Sequence, residues 1–352
     1  MTLKRRIIDE IQMSGPIPFE RFMEIALYDP LGFFGGLTLR SEKAGDFLTS
    51  PEVSRLFGET LAVYVEQVRS DVGEPFQLTE VGAGSGSLLR PLLESVAVDA
   101  LAVEVSPAAR ASLADLVPVS ERLPESMRGV VIANELLDNL PMALAQRVDG
   151  KWRERWVGEN QDDIVFVDAD PRPGVMHWLA SYAGPVEDGG WVEVQLAARE
   201  WVIEALHRLE EGRILIFDYG DTAEGLANRR RDGTLRTYRA HHLGPHPLDE
   251  PGATDITADV NFSALLDLHP DTRLVRQEEF LSELGLRDRL SELRVAELAA
   301  TRSGDHMERL RLRTLKTEAE TLLHPRGLGD FRVLEVVVHE EPRSGMGRPT
   351  DG

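Results

Sequence analysis

Hydrophobic residues follow two different patterns along the chain, and the change comes near residue 70. In the first part, Phe19, Phe22 and Ile25 have the spacing of one face of an amphipathic helix, and a proline and several glycines follow them. The loop over 44–52 then leads into a second helical pattern. Residues 1–70 are therefore predicted to form helices separated by loops.

From residue 71 onward, short apolar runs alternate with helical patterns. Two of these runs, GVVIAN and RILIFD, are too apolar to have an exposed face, which is typical of strands that are covered on both faces. Strands that alternate with helices favour a parallel sheet with helices on both sides. The prediction is an α/β fold over 71–340, from the runs FQLTEV, ALAVEV, GVVIAN and RILIFD.

Two stretches interrupt this alternation. Residues 143–190 contain short strand-like runs and are predicted to be a hairpin insertion. Residues 286–323 have leucines along one helical stripe and are predicted to be a helical insertion. Residues 330–340 resemble a closing strand, and 341–352 are expected to form a flexible tail.

The composition narrows the classes of partner. The 352 residues include 60 acidic and 39 basic side chains, a formal net charge of −21. This charge repels nucleic acid, which is not expected as a partner. It suits a cationic partner such as an arginine side chain, although an acidic surface also serves solubility. Without cysteine, the chain can have no disulfide, thiol nucleophile or cysteine-ligated zinc.

The start of the chain lacks the features of a secretory signal. No apolar stretch reaches the roughly 18 residues that a membrane span needs. The sequence therefore predicts a cytoplasmic protein without a membrane span.

A glycine-rich turn, EVGAGSG, lies between the first strand and the helix after it. Gly82, Gly84 and Gly86 allow a tight turn, and the helix start offers free N–H groups to a ligand. A dinucleotide-binding turn would have glycine where Ser87 stands. The acidic-x-Gly-x-Gly-x-Gly pattern instead fits the first motif of methyltransferases that use S-adenosylmethionine (SAM), with Glu80 near the ammonium group of the methionine moiety.

The next strand ends at Glu104, about twenty residues after the turn. A carboxylate there can accept hydrogen bonds from both ribose hydroxyls. The turn and the acidic strand end together predict a nucleoside-containing cofactor, with SAM favoured over a nicotinamide.

Eight blocks between about residues 15 and 338 carry a resemblance. They are GPIPFERFMEIALYDPLGFF, GDFLTSPEVSRLFGE, EVGAGSGSLL, VEVSP, ANELLDNLPM, GTLRTYRAHH, PGATDITADVNFSAL and HPRGLGDFRVLEV. With these blocks, in this order, the chain resembles the family of SAM-dependent methyltransferases of MidA and of the mitochondrial complex I assembly arginine methyltransferase. Ala83 stands where that family frequently has proline, and Phe33-Phe34 where it often has two tyrosines.

The resemblance implies a class I methyltransferase fold, Rossmann-like, with a mostly parallel seven-stranded sheet and helices on both faces. It also implies SAM as cofactor and, in the mitochondrial member, symmetric dimethylation of an arginine on a complex I subunit. The predicted cofactor-binding residues are Gly45, Asp46, Thr49, Ser50, Glu80, Gly82, Ala83, Gly84, Ser85, Gly86, Glu104 and Asn134.

The stretch VVIANELLDNLP places polar residues at the carboxyl end of a predicted buried strand. Glu135 and Asp138 are the predicted catalytic pair, since carboxylates can grip a planar guanidinium and stabilise its cation. If a helix starts near Asn134, the two lie on one face. Alternatively, Asn134 or Asp138 caps a short helix and Glu135 only favours the helix dipole.

Other polar residues are expected around the same edge. Asp218, Tyr219 and His241 are predicted to bind the substrate. The loop over 44–52, which contains Gly45, Asp46 and Phe47, is predicted to cover the cofactor, although Thr49 or Ser50 can also cap the helix that begins near Pro51. The histidines of HHLGPHPLDE match no metal-ligand spacing, so no metal is predicted.

Three functions remain open at this point. The first is a methyltransferase that acts on arginine of a protein, with a respiratory complex subunit as a candidate partner. The second is a methyltransferase for a small nitrogen or oxygen nucleophile, with the insertions as lids. The third is an assembly factor that binds SAM without turnover.

Overall fold

A computed structural model describes residues 2–36, 49–229, 231–239 and 242–340. The helices are α1 (Leu3–Ser14), α2 (Phe19–Tyr28), α3 (Ser50–Val53), α4 (Arg55–Val72), α5 (Leu89–Ser95), α6 (Pro107–Leu113), α7 (Pro173–Tyr182), α8 (Leu196–Arg208), α9 (Ala223–Arg229), α10 (Ser263–Leu266), α11 (Gln277–Glu283), α12 (Leu286–Ser303) and α13 (His306–Leu322). Short 3-10 helices cover Leu137–Asn139 and Leu328–Asp330.

The strands alternate with these helices through most of the chain. They are β1 (Ile17–Pro18), β2 (Gln77–Val81), β3 (Asp99–Val103), β4 (Val119–Ser120), β5 (Met127–Asn134), β6 (Ala143–Val148), β7 (Lys151–Asn160), β8 (Asp163–Ala169), β9 (Trp191–Val194), β10 (Leu209–Asp218), β11 (Gly220–Asp221), β12 (Arg236–Arg239), β13 (His242–Leu243), β14 (Asp255–Thr257), β15 (Val260–Asn261), β16 (Thr272–Arg276) and β17 (Arg332–Val338).

The central sheet of the described chain has seven strands in the order β16-β17-β10-β5-β2-β3-β4. Strands β4, β3, β2, β5 and β10 run parallel, and β17 is antiparallel to both its neighbours. Two large apolar clusters cover its two faces, as the apolar strand sequences require. The prediction of a mostly parallel, Rossmann-like sheet with helices on both faces is confirmed.

Helix α4 packs against one face of this central sheet, although it precedes β2, the first strand of that sheet, in sequence. The Ser54 hydroxyl accepts from the Leu56 N–H at 3.1 Å and caps its start, and Gly73 ends it with φ of 74°. Phe57 and Leu61 of this helix are fully buried in the same cluster as strand residues of β2 and β5. Helices α12 and α13 pack against each other and contribute to that cluster.

A second sheet, with the order β1-β7-β6-β9 and β8 paired to β7, is formed mainly by residues 143–194. More than a hairpin lies in this stretch, because α7 is inserted between β8 and β9. The sheet also takes in β1, where Ile17 pairs with Val157. Helices α1 and α2 share an apolar cluster with this sheet, so the N-terminal segment and the insertion form one layer.

Among the described helices, none combines the length and apolar character that crossing a bilayer demands.

Candidate functional site

The carboxyl ends of β2, β3, β5 and β10 meet at one edge of the central sheet. From β2 the chain adds β3 and β4 on one side, whereas β5 and β10 lie on its other side, so the strand order reverses between β2 and β5. A crevice forms where the strand order reverses in this way. It holds a cavity of about 780 Å³ that is bounded by the glycine turn, the ends of these strands and residues of the N-terminal segment.

The glycine turn follows β2 directly. Gly82, Gly84 and Gly86 have φ of 70°, 52° and 80°, in the left-handed region that side chains disfavour. The Gly82 N–H donates to the Val103 carbonyl at 2.8 Å, and this bond ties the turn to the neighbouring strand. A Cβ atom at Gly82 would lie 3.1 Å from Leu136 Cδ1. The glycines therefore allow a tight turn that packs closely against Leu136, and Ala83 and Ser85 of this turn line the cavity.

Glu104 holds the turn from the end of β3. Its two carboxylate oxygens accept N–H bonds from Gly84 at 2.9 Å and from Ser106 at 2.8 Å. The side chain is buried and lines the cavity. Each carboxylate oxygen has a second lone pair, so both can still accept a ligand hydroxyl.

Glu80, which precedes the turn, is buried and lines the same cavity. Its Oε2 has no hydrogen-bond partner among the described residues. Burial raises the pKa of this carboxyl well above its ordinary value, and the charge of Glu104 raises it further. An unpaired buried carboxylate is costly unless a donor or cation meets it. This orphaned oxygen therefore fits the positively charged ammonium or sulfonium of SAM.

Glu135 follows β5 in an unusual backbone conformation, with φ of 51°. Its N–H donates to the Phe217 carbonyl at 2.8 Å, and its Oε1 accepts from Asn134 Nδ2 at 3.2 Å. Burial and the charge of Asp138 raise the pKa of its carboxyl, although bonds from Asn134 and the Ser50 N–H oppose the shift. Oε2 is buried without a hydrogen-bond partner among the described residues, as is Asn134 Oδ1.

Asp138 lies in the 3-10 helix Leu137–Asn139, on the same side of the cavity. Its Oδ2 accepts from the Tyr219 hydroxyl and from Thr257 Oγ1, the latter at 2.6 Å. Its Oδ1 is buried and has no hydrogen-bond partner in the described part of the chain. Burial raises the pKa of the carboxyl, and the two hydroxyl donors offset part of that shift. Asp138 and Glu135 thus each present one unpaired oxygen.

Asp218 occupies a different place from the one predicted. It is fully buried below the cavity, and its Oδ2 accepts from the N–H groups of Leu137 at 3.0 Å and Asp138 at 3.3 Å. Its Oδ1 accepts from the Tyr219 N–H at 3.0 Å. The carboxylate therefore positions its neighbours and does not line the cavity, whereas Tyr219 does.

The expected helix start at Asn134 is also absent from the structure. The left-handed backbone of Glu135 prevents a helix from beginning there, and the 3-10 helix starts only at Leu137. Neither Asn134 nor Asp138 caps it, because Asp218 on the neighbouring strand accepts the free N–H groups. The alternative capping roles are thus taken by a residue 80 positions away in sequence.

The N-terminal segment reaches the cavity through α3. Glu52 accepts the Thr49 N–H at 3.1 Å, the pattern expected of a helix cap, and Thr49 also lines the cavity. Ser50 is fully buried and bonds to Gln277. Gly45, Asp46 and His241 lie outside the described residues.

Several aromatic side chains line the cavity without having been predicted to do so. Tyr28 stacks on Phe34 with ring centroids 5.8 Å apart, and Phe33 meets Phe34 edge to face at 5.0 Å. Tyr238 comes from β12. In the sequence, only Phe33 and Phe34 carried a signal, because they follow a turn with proline and glycine in a chain with 6% aromatic residues.

Acidic side chains predominate in the described cavity lining, where the basic residues are Arg122 and Arg208. The acidic lining residues are Glu24, Glu52, Glu80, Glu104, Glu121, Glu135, Asp138, Glu204 and Asp255. This arrangement favours cations over anions in the cavity. No cluster of three or more potential metal ligands occurs among the described residues.

Comparisons with known proteins are consistent with this geometry. Residues 56–277 match the family model described as S-adenosyl-L-methionine-dependent methyltransferase. The chain is 31% identical to the mitochondrial protein arginine methyltransferase NDUFAF7 of Rattus norvegicus, over 82% of this chain and 75% of that one. It is 29% identical to the mitochondrial homologue in Drosophila melanogaster, over 74% of this chain and 68% of that one.

A solved structure is also similar over nearly the whole chain. It is a Burkholderia thailandensis protein bound to S-adenosyl-homocysteine, with a TM-score of 0.85 and 29% identity. The match covers 97% of this chain and 92% of that one. It supports both the class I methyltransferase fold and SAM as the cofactor.

The names of the relatives correct one expectation. A cytoplasmic location was predicted from the lack of a secretory signal, and that prediction is wrong because the rat and fly relatives are named as mitochondrial proteins.

Proposed function

Because the chain belongs to the family of S-adenosyl-L-methionine-dependent methyltransferases, we propose that it methylates an arginine side chain of a protein. The single observation that carries the choice of arginine is the pair of unpaired oxygens, Glu135 Oε2 and Asp138 Oδ1, in one acidic cavity. A guanidinium offers several N–H donors in one plane and can satisfy two carboxylates at once. The names of the rat and fly relatives support the same acceptor.

The cofactor residues are assigned to one side of the cavity. SAM supplies a methyl group bonded to a positively charged sulfur. In the proposal, the glycine turn lets the backbone approach the nucleoside closely, the carboxylate of Glu104 holds it, and Glu80 meets the cationic end. The position of Thr49 in the cavity wall supports a further contact from the N-terminal segment.

Glu135 and Asp138 are assigned to the acceptor. Their carboxylates align the guanidinium so that one nitrogen faces the methyl group, and such alignment can account for roughly 7–11 kcal/mol of a barrier. The nitrogen must also lose a proton as the new bond to carbon forms. Glu135 is the proposed acceptor of that proton, because burial raises the pKa of its carboxyl and makes its ionised form a stronger base.

Asn134 and Tyr219 are assigned positioning roles. Asn134 donates to Glu135 Oε1 and leaves Oε2 without a hydrogen-bond partner among the described residues. The Tyr219 hydroxyl and Thr257 likewise hold Asp138 Oδ2, which leaves Oδ1 for the acceptor. The first candidate for the acceptor protein is a respiratory complex subunit.

The test is transfer of an isotope-labelled methyl group from SAM into a lysate of the organism that encodes the chain, followed by mass spectrometry. We expect label on arginine of a protein and about a 10²–10⁴-fold loss of transfer in Glu135→Gln, because removal of a general base has an effect of that size. S-adenosyl-homocysteine should bind this variant within about threefold of the parent, measured by calorimetry.

The matched control is Glu94→Gln, a carboxylate on α5 that is 62% exposed and does not line the cavity. It should leave transfer unchanged. Label on a small molecule, no label at all, or full activity in Glu135→Gln would each contradict the proposal.

A further inference from the structure

A second cavity of about 500 Å³ adjoins the first. It lies between the end of β10, strand β12 and the loop that precedes β17, and its lining includes Arg236, Asp259, Arg326 and Asp330. Sequence alone gave no indication of this site, since the four residues come from three separate segments.

Tyr219 and Tyr238 line both cavities and form the wall between them. Tyr219 is fixed in place, because its hydroxyl bonds to Asp138 and its ring meets Phe331 with centroids 5.5 Å apart. Arg236 lies over the other part of this ring, with Cζ 5.6 Å from the centroid. One tyrosine side chain therefore separates Asp138 in the first cavity from Arg236 in the second.

The charges of the second cavity differ from those of the first. Asp259 forms an ion pair with Arg236, and Asp330 pairs with Arg332 at 3.2 Å, so both carboxylates are neutralised. Arg326 is exposed and has no ion-pair partner among the described residues. Arg236 Nε is buried without a hydrogen-bond partner in that same part of the chain. The second cavity therefore has a cation at Arg326 without an ion-pair partner among the described residues, and a buried Arg236 N–H without an acceptor, next to an acidic cavity.

We propose that the second cavity binds a carboxylate of the same acceptor whose guanidinium enters the first cavity. The inference rests on the proposed function, and it adds a preference for an acceptor that bears both charges. The guanidinium of Arg326 matches a carboxylate in charge and in geometry. The Tyr219 side chain extends from Asp138 to Arg236. An arginine side chain has a similar length, so an acceptor whose guanidinium lies at Asp138 can place a neighbouring group beside Arg236.

The carboxylate can come from two sources. One is an aspartate or glutamate side chain near the target arginine in a protein. The other is the α-carboxylate of a free guanidino acid. The proposed protein acceptor favours the first source, and the two share the same chemistry at Arg326.

The experiment uses the full chain loaded with S-adenosyl-homocysteine and two pairs of probes, with affinity measured by calorimetry. The first pair is a set of blocked peptides with one arginine flanked by glutamates, against the same peptides with glutamines. The second pair is free arginine against argininamide. We expect the carboxylate member of the peptide pair to bind at least about tenfold tighter, as for one charge-assisted hydrogen bond. An advantage confined to free arginine would assign the site to a small guanidino acid.

Arg326→Gln should remove the advantage of the carboxylate probe and leave S-adenosyl-homocysteine binding unchanged. The control is Arg302→Gln, an exposed arginine near the end of α12 that lines neither cavity. Equal affinity within both pairs, no binding of any probe, or an advantage that survives Arg326→Gln overturns the inference.

Glu135→Gln distinguishes failure of carboxylate binding in the second cavity from failure of the proposed function. If Glu135 holds the guanidinium, this variant weakens both members of a pair equally. If it changes neither, the arginine assignment fails, while Arg326→Gln still reports whether the second cavity takes a carboxylate.

Discussion

Replacement of Glu104 by glutamine tests how the glycine turn and the proposed cofactor site depend on one carboxylate. In the parent, Glu104 accepts N–H bonds from Gly84 at 2.9 Å and Ser106 at 2.8 Å. The glutamine amide has the same shape but only one oxygen. One of the two N–H groups then faces an NH₂ group, and only one oxygen remains for ribose hydroxyls.

The expected effects have two parts. An unpaired buried donor costs about 1–3 kcal/mol, so the free energy of unfolding of the ligand-free protein should fall by about that amount. Loss of one hydrogen bond to a charged acceptor costs the complex about another 1.5–3 kcal/mol. Since 1.4 kcal/mol is a factor of ten, the Kd for S-adenosyl-homocysteine should rise about 10- to 150-fold.

Titration calorimetry with S-adenosyl-homocysteine and denaturant unfolding measure the two effects separately. Glu94→Gln, on the exposed face of α5, serves as the control and should change neither. A Kd for Glu104→Gln within about threefold of the parent would refute the assignment of Glu104 to the cofactor. Unchanged stability would show that the bond to the turn contributes little to folding.

Two further changes test the local geometry. Gly82→Ala places a Cβ at φ of 70° and 3.1 Å from Leu136 Cδ1, so denaturant unfolding should show a loss of at least about 1–2 kcal/mol, and a loss below about 0.5 kcal/mol would contradict the strained turn. For Glu80, burial and then Glu104 raise the pKa in the folded state, so the folded protein keeps a proton that the unfolded chain releases above about pH 4.3. Stability of the ligand-free protein should therefore fall as the pH rises from that point toward the folded pKa. Glu80→Gln should remove this part of the decline, and stability curves of parent and variant with the same slope between about pH 5 and 8 would speak against it.

On the proposed cofactor side, the positions of the main elements could be predicted because these elements are local in sequence. The turn at 82–86 lies between a strand and a helix, and the apolar pattern of those neighbours specifies the sheet edge on which it lies. The end of β3 follows by the same reasoning, which placed Glu104 beside the turn before its bond to Gly84 was known. Here the periodicity of side chains and the fixed geometry of parallel strands carry the prediction.

The acceptor side could be predicted only in part. Glu135 and Asp138 do line one cavity, but the helix that was expected to align them is missing. Their alignment depends on Asp218 and Tyr219, which β10 brings alongside β5. A pattern read along the chain shows neither which strand becomes the neighbour nor which N–H groups remain free.

The sequence by itself determined the type of sheet, the glycine turn and the carboxylate at the next strand end, because each depends on residues close together in the chain. Only the tertiary structure decided which acidic groups are left unpaired, that Asp218 bonds to backbone N–H groups and does not line the cavity, and that a second cavity with Arg236 and Arg326 lies beyond Tyr219. The physical reason is that hydrogen-bond partners and burial are set by strand order and loop packing. Strand order and loop packing bring together residues such as Asp138 and Tyr219, which are 81 positions apart. The spacing of apolar residues along the chain does not predict such pairs.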